Sequence, residues 1–249
     1  QSFSRIHMSD IPESHPRYIS LKTRENLVAA AHAGVVSYEG HTSHGRGEAF
    51  DYLFGEKTSA SALAAEKLAA AVLLAAKHPV LSINGNTASL AAAEIADLQK
   101  ASGAQVEVNL FHRTEERLKK VNAVLEEAGC VVNRGKVERC VPLPHDRGLC
   151  CPDGIGSADV VLVPLEDGDR CEALVGMGKI VITVDLNPID RTSKMATLPI
   201  VDEVRRALPN IAAECRRLKA EGKAVEMPEI DNRAILRAAI NDIKEFLDN

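Results

Sequence analysis

The sequence predicts an α/β protein in which a mainly parallel sheet is wound with helices on both faces. Three observations lead there. The runs PVLSING (79–85), ADVVLVPL (158–165) and KIVITVDL (179–186) leave no polar face for solvent, as strands buried on both sides do. Segments of roughly ten to twenty residues with apolar positions at helical spacing lie between such runs. The two kinds of segment alternate, the pattern of parallel strands joined by helical crossovers.

The elements follow in order. Residues 17–34 have near-helical apolar spacing and close on Gly34, a helix stop. Residues 59–78, rich in Ala and apolar nearly all round, read as a buried helix. The strand at 79–85 runs into Asn84-Gly85-Asn86, and a helix is expected from about Thr87 to Gly103. QVEVNLF (105–111) alternates as a strand does, and residues 113–129 form a charged amphipathic helix ending at Gly129. Residues 168–178 give a short helix between the strands at 158–165 and 179–186. A last short strand and a helix fill 198–223, Met227-Pro228 breaks the chain, and 229–249 reads as a terminal amphipathic helix. Residues 133–157 are the longest irregular segment, a length associated with function or mobility.

This pattern predicts a Rossmann-like, doubly wound core over 79–223, its sheet spanning roughly 78–205. An N-terminal helical region, 9–78, carries an HGRGE loop, and a C-terminal helical extension occupies 224–249. The opening QSFSRIHM (1–8) reads as a cloning remnant, with Met8 as the expected native start.

Composition narrows the function. A chain of 249 residues can bury a sizeable core, and with aromatics at 3% and no Trp that core rests on Ala, Val, Leu and Ile. A net charge of −5 argues against general nucleic-acid binding, yet allows a basic pocket for a small anion. The longest apolar run, LAAAVLLAA (68–76), is too short to span a bilayer, and no signal peptide is evident, so a cytoplasmic protein is expected. The six cysteines are expected to be reduced thiols. Cys140, His145, Cys150 and Cys151 lack the paired spacing of a zinc site.

In an open α/β sheet, ligands bind beyond the carboxyl ends of the strands. Each strand here ends in polar residues: Asn84-Gly85-Asn86, then His112-Arg113-Thr114, then Glu166 to Arg170, then Asp185-Leu186-Asn187 with Arg191 and Thr192. Asn84-Gly85-Asn86 is either an anion cradle at a helix start or an ordinary capped turn. The phosphate-binding lysine loop and the glycine fingerprint of dinucleotide sites are both missing. Glu166-Asp167-Gly168-Asp169 reads as Mg²⁺ ligands or as an acidic turn capping the next helix. HTSHGRGEAFDYLFGEKT (41–58) sets Arg46 between two glycines, with His44, Glu48, Asp51 and Lys57 close by. It is a polyanion site, or a solvated charged loop followed by a short helix, AFDYLF (49–54). Arg17 and Arg24, seven apart on the preceding helix, share a face and favour the site. The residues alone also leave open a nicotinamide oxidoreductase and a non-catalytic nucleotide or coenzyme A sensor.

The blocks SHPRYISLKTRE (14–25), HGRGEAFDYLFGEKT (44–58), SINGNTASLAAAE (82–94), VNLFHRTEERL (108–118), ADVVLVPLEDGDRCEALVGMGK (158–179) and ITVDLNPIDRTSKMA (182–196) closely resemble archaeal phosphopantothenate synthetase, also termed 4-phosphopantoate–β-alanine ligase. The resemblance runs through residues 11–220. It implies a Rossmann-like homodimer that joins 4-phosphopantoate to β-alanine with ATP, through an acyl-adenylate, on the archaeal route to coenzyme A. It also implies ATP contacts at Arg24, Arg46, Asp185, Leu186, Asn187, Arg191, Thr192, Glu203 and Val204. The family carries Asn-Ile within VDN where this chain has Glu203-Val204 within VDE, and a carboxylate near phosphates is unfavourable, so a backbone contact is expected there. Two polyanionic substrates require cations. Arg46, Arg24, Arg191, Lys57 and Mg²⁺ are expected to supply them, with His44 as the proton acceptor for β-alanine. Arg17, Asn84, Asn86 and Arg113 are expected to hold substrate. The metal ligands are left unassigned.

Overall fold

A computed structural model describes residues 11–15 and 17–248; the reading of residues 1–8 falls outside them. Six parallel strands form the central sheet: β1 (Pro79–Ile83), β2 (Gln105–Val108), β3 (Val132–Asn133), β6 (Val160–Pro164), β7 (Ile180–Val184) and β8 (Leu198–Ile200). Their spatial order is β3-β2-β1-β6-β7-β8, so the winding direction reverses between β1 and β6. A separate antiparallel pair, β4 (Glu138–Arg139) with β5 (Leu149–Cys150), lies within the irregular segment.

The strands are as apolar as the sequence requires. Val160, Val161, Leu162 and Val163 of β6 are fully buried, as are Val181 and Ile182 of β7. One sheet face is covered by α3 (Ala60–Ala75), α4 (Gly85–Ser102) and α8 (Val204–Ala220), whose apolar residues share a core with Leu81, Ile83, Leu162 and Val184. The other face packs on α6 (Gly168–Gly176) and the 141–158 segment through Val161, Val163, Cys171 and Leu174. α5 (Glu115–Glu127) joins β2 to β3. α3 is less completely buried than its composition implies, for Leu63 is exposed.

The glycine stops are real. Gly34, Gly103 and Gly129 all take positive φ, after α1 (Tyr18–His32), α4 and α5 respectively, the left-handed region that glycine enters without steric cost. Helix starts differ from the expected ones by about two residues in both directions: α4 begins at Gly85, before Thr87, and α5 at Glu115, after 113. Asn84 caps α4, its side chain accepting from the Thr87 amide, and Thr114 caps α5 by accepting from Arg117.

The largest departure lies at the expected HGRGE loop. Residues Tyr38–Asp51 form a helix, α2, in which Ser37 caps the start by accepting from the Gly40 amide. Its glycines weaken the propensity signal, but packing compensates: the Asn86 amide donates to the Gly40 carbonyl at 2.7 Å, and buried Asp51 pairs with Arg206 at 2.6 Å. A short helix, α7 (Arg191–Met195), capped by Asp190, also follows β7 where none was expected. α9 (Asn232–Leu247) packs Leu236 and Ala239 against Phe54 and Val201. None of the described helices is long and apolar enough to cross a membrane.

Candidate functional site

A cavity of about 360 Å³ opens at the carboxyl ends of the strands, spanning the point where the winding reverses. That is where open α/β sheets place ligands.

Asn84 builds its floor. While its carbonyl oxygen caps α4, its amide donates across the gap to the Pro164 and Leu165 carbonyls at 3.1 and 3.0 Å. Asn84 and Asn86 both line the cavity, but the Asn84 side chain is held by these bonds, and the Asn86 amide is held by Gly40. Their contribution is to set the buried start of α4 against the cavity, a helix end whose amides favour an anion. Gly85 is required here for a reason the sequence did not reveal. A Cβ at this position would lie 2.3 Å from the Val35 carbonyl oxygen. Across the gap, Leu165 holds a left-handed φ of 56°, a strained choice for a leucine. It is fixed by an N–H bond to Val184 and by the Asn84 contact.

Two cations face this end. Arg117, on α5, donates to the Val35 and His112 carbonyls at 3.2 and 3.1 Å. Arg147, from the irregular segment, is buried and donates to the Asn109 carbonyl at 2.8 Å and to Glu166. Arg170, fully buried, pairs with the other Glu166 oxygen and with Ser82. Burial alone would raise the Glu166 carboxyl, yet the two guanidiniums hold it at about 2. Asp167 caps α6 by accepting from the Arg170 amide at 2.9 Å. The acidic turn is therefore largely occupied: Glu166 by arginines, Asp167 as a cap, Asp169 by Arg191. Neither Arg117 nor Arg147 stood out in the sequence; Asn109 and Glu166, which orient Arg147, lie 38 and 19 residues away.

The other end is formed by Asp185 and Leu186 after β7, and by Asp202, Glu203 and Val204 after β8. Burial pushes the Asp185 carboxyl up to about 7, with Asp190 adding to it. Burial likewise pushes Glu203 up to about 7. Glu203 caps α8, accepting from the Arg205 amide at 2.9 Å, while its Oε1 is buried without a hydrogen-bond partner among the described residues. Leu186 and Val204 are buried apolar walls.

α2 forms the rim with Ser37, Gly40, Ser43, His44 and Gly47, spaced along one helical face. Burial lowers the His44 pKa, with Glu48 opposing, so its imidazole is neutral at neutral pH.

The remaining expected residues lie elsewhere. Arg17 and Arg24 do share a face: both donate to the Tyr52 hydroxyl, at 2.7 and 2.8 Å. Arg17 also pairs with Glu56 and Arg24 with Glu48, at 3.2 and 2.9 Å, so neither guanidinium lines the cavity. Arg46 is exposed on α2 and donates to Ser43 at 3.2 Å. Lys57 lies over the Phe246 ring of α9 at 5.8 Å. Arg191 pairs with Asp169 and Glu172 on the surface. Thr192 is buried and donates to the Glu166 carbonyl at 3.0 Å, and Asn187 accepts from the Ile189 amide at 3.0 Å. Arg113 lines a different cavity.

The described residues hold no group of three His, Cys, Asp or Glu side chains placed to bind a metal ion. Three of the four residues weighed for zinc have other contacts. Cys140 and Cys151 donate to the Cys150 and Gly135 carbonyls, burial pushes the Cys151 thiol up to about 12, and His145 stacks on Phe111 at 4.7 Å.

Comparison with known proteins adds independent findings. Residues 61–246 match the family model described as phosphopantothenate/pantothenate synthetase. A 4-phosphopantoate–β-alanine ligase of Methanospirillum hungatei is 59% identical over 239 residues, covering 96% of this chain and 98% of that protein. The ligase of the same name from Methanosarcina mazei is 50% identical over 244 residues, 96% of each chain. That of Thermococcus kodakarensis is 47% identical over 215 residues, 85% of this chain and 82% of its own.

Proposed function

The chain belongs to the phosphopantothenate/pantothenate synthetase family, and from that premise we propose that it joins 4-phosphopantoate to β-alanine using ATP, giving 4'-phosphopantothenate. The observation that carries this reading is the two-ended cavity at the strand reversal. One end offers Arg117, Arg147 and the start of α4; the other offers apolar walls and polar edges.

The cationic end suits the phosphate of 4-phosphopantoate. At the other end, Leu186 and Val204 suit the adenine of ATP, with Asp185 and Glu203 as its polar partners. The pantoate carboxylate attacks the α-phosphorus, the α–β bridging P–O bond breaks, and pyrophosphate leaves. The β-alanine amine then attacks the acyl carbon and AMP leaves. That amine must first lose a proton, and His44 is the acceptor in this reading, supported by its place on the rim and its lowered pKa. Fixed positioning and arginine charge supply the rate, since neither step needs covalent help from the protein.

A dedicated Mg²⁺ cage does not fit the acidic turn, because Glu166 is saturated by two arginines. Asp167 lines the cavity with one oxygen capping α6 and the other 3.7 Å from Arg147 Nε, and it is the carboxylate of this turn that would hold a Mg²⁺ brought in by the nucleotide. Bound there, the ion would neutralise phosphate charge. The surface arginines 24, 46 and 191 and Lys57 enter this reading as outer contacts to ATP. The chain is further proposed to act as a cytoplasmic homodimer. Exposed Ile19, Tyr38 and Leu63 in the N-terminal helices support a second copy covering that region.

The test is turnover with ATP, 4-phosphopantoate and β-alanine, identifying the nucleotide by chromatography. AMP with phosphopantothenate is expected. ADP in its place would refute the adenylate route, and no amide product would refute the ligase.

A further inference from the structure

A second cavity, of about 300 Å³, lies beyond the carboxyl ends of β2 and β3 and shares no lining residue with the first. α5 separates the two. Arg117 faces the first, while residues 115, 118, 119 and 122, on one helical face, line the second.

Cations reach this cavity from three separate segments: Arg113 after β2, Lys119 on α5, and Arg134 and Lys136 after β3. The last two are partnered, Arg134 with Glu126 at 2.6 Å and Lys136 with Glu138 at 3.4 Å. The side chains of Arg113 and Lys119 form no hydrogen bond or ion pair with any described residue. Two carboxylates also line the cavity: Glu115 is exposed to solvent at the first turn of α5, and both oxygens of Glu107 are taken by the backbone N–H groups of Cys151 and Ile155, at 2.8 Å each. Asn122 differs: it is 6% exposed, it lines the cavity, and its Oδ1 has no hydrogen-bond partner among the described residues. A buried acceptor left unmet costs its full desolvation. A ligand donating a proton there would offset that cost.

We propose that this cavity binds a small phosphorylated anion, with its charged oxygens on Arg113 and Lys119 and a hydroxyl or amino donor on Asn122. This goes beyond the ligase reading and does not rest on it. Inorganic phosphate is the probe, because at neutral pH it carries both negative charge and an O–H. Sulfate carries the charge without the donor.

The ¹⁵N-labelled full chain is titrated with phosphate, sulfate and chloride at constant ionic strength, following the Asn122 side-chain amide and the Arg113 Nε–H by NMR. Phosphate should give a saturable shift at both, sulfate a weaker one, and chloride none. The double variant Arg113→Ser, Lys119→Ser, which removes both cationic contacts, should weaken phosphate binding by about tenfold or more. Arg117→Met, in the first cavity, should leave the shifts in place. No saturable shift, equal binding of sulfate, a chloride response of the same size, or a double variant that titrates like the parent would each overturn the proposal.

Discussion

Glu203 shows how one carboxyl can stand at the cavity end proposed for ATP. Its position caps α8, where an acceptor is needed, and burial pushes its carboxyl up to about 7. Below that pH it is largely protonated and can donate as an amide does. Above it the charge returns and repels the nucleotide. The KM for ATP should therefore rise as pH passes from about 6 to 8. Glu203→Gln, neutral throughout, should flatten that rise while keeping the cap; steady-state kinetics across this range decide it, and an unchanged profile would remove Glu203 from the nucleotide end. His44 carries the opposite sign. Burial lowers its pKa below the usual 6.5, so the acid limb of kcat should lie below that pH. His44→Ala should lower kcat by about 100-fold, within the usual range for a lost general base, and erase that limb. If the limb survives in the variant, another group accepts the proton.

At the scale of elements, what the sequence disclosed follows from what has a period. Apolar runs and glycine stops located β1, β2, β6 and β7 and the ends of α1, α4 and α5, because those signals are local. α2 stayed hidden since Gly40, Gly45 and Gly47 mask helical propensity, and its stability comes from Asn86 and Arg206, 46 and 155 residues from their partners. Arg147 stayed hidden for the same reason: a single charge in an irregular segment has no period. The strand ends, by contrast, were legible as the place of the cavity because topology gathers them whatever the loops do. Two glycines test this reading of the elements. At Gly45 a Cβ meets nothing within 4 Å, so Gly45→Ala should strengthen α2 by about 0.5–1 kcal/mol and raise Tm by about 1–4 °C. At Gly85 the Cβ would strike the Val35 carbonyl oxygen, so Gly85→Ala should cost about 1–3 kcal/mol. Calorimetry of both variants checks the pair. A loss of Tm in Gly45→Ala would mean that the 44–48 segment needs glycine as a loop would.

Across the whole molecule, buried carboxyls join the N-terminal helices to the sheet, and they set its response to pH. Asp202, at the end of β8, accepts from the Thr58 hydroxyl at 2.6 Å and from Arg206, which also holds Asp51 of α2. Glu66 of α3 is fully buried; Asn210 of α8 donates to one of its oxygens at 2.8 Å, and the other has no donor among the described residues. Burial, with the neighbouring Asp202 charge, pushes Glu66 up to about 8, so at neutral pH it is mostly protonated and can donate to Asp202. The native state thus binds more protons than the unfolded chain between about 4.5 and 8. Stability from this group is complete below about 4.5 and is lost as pH rises through 8. Asp185 and Glu203, both near 7, add in the same direction. Glu166, held at about 2, acts oppositely, its contribution being lost only as pH falls below about 4.5. Stability should accordingly be greatest near pH 5 and decline toward pH 8.5. Each group contributes a slope of up to about 1.4 kcal/mol per pH unit. Glu66→Gln keeps a donor toward Asp202 and titrates nothing, so it should flatten part of that decline. Guanidinium unfolding of parent and variant from pH 5 to 8.5 measures both slopes. Parallel curves would show that Glu66 is ionised throughout and that the link between α3 and the sheet end is a charged one.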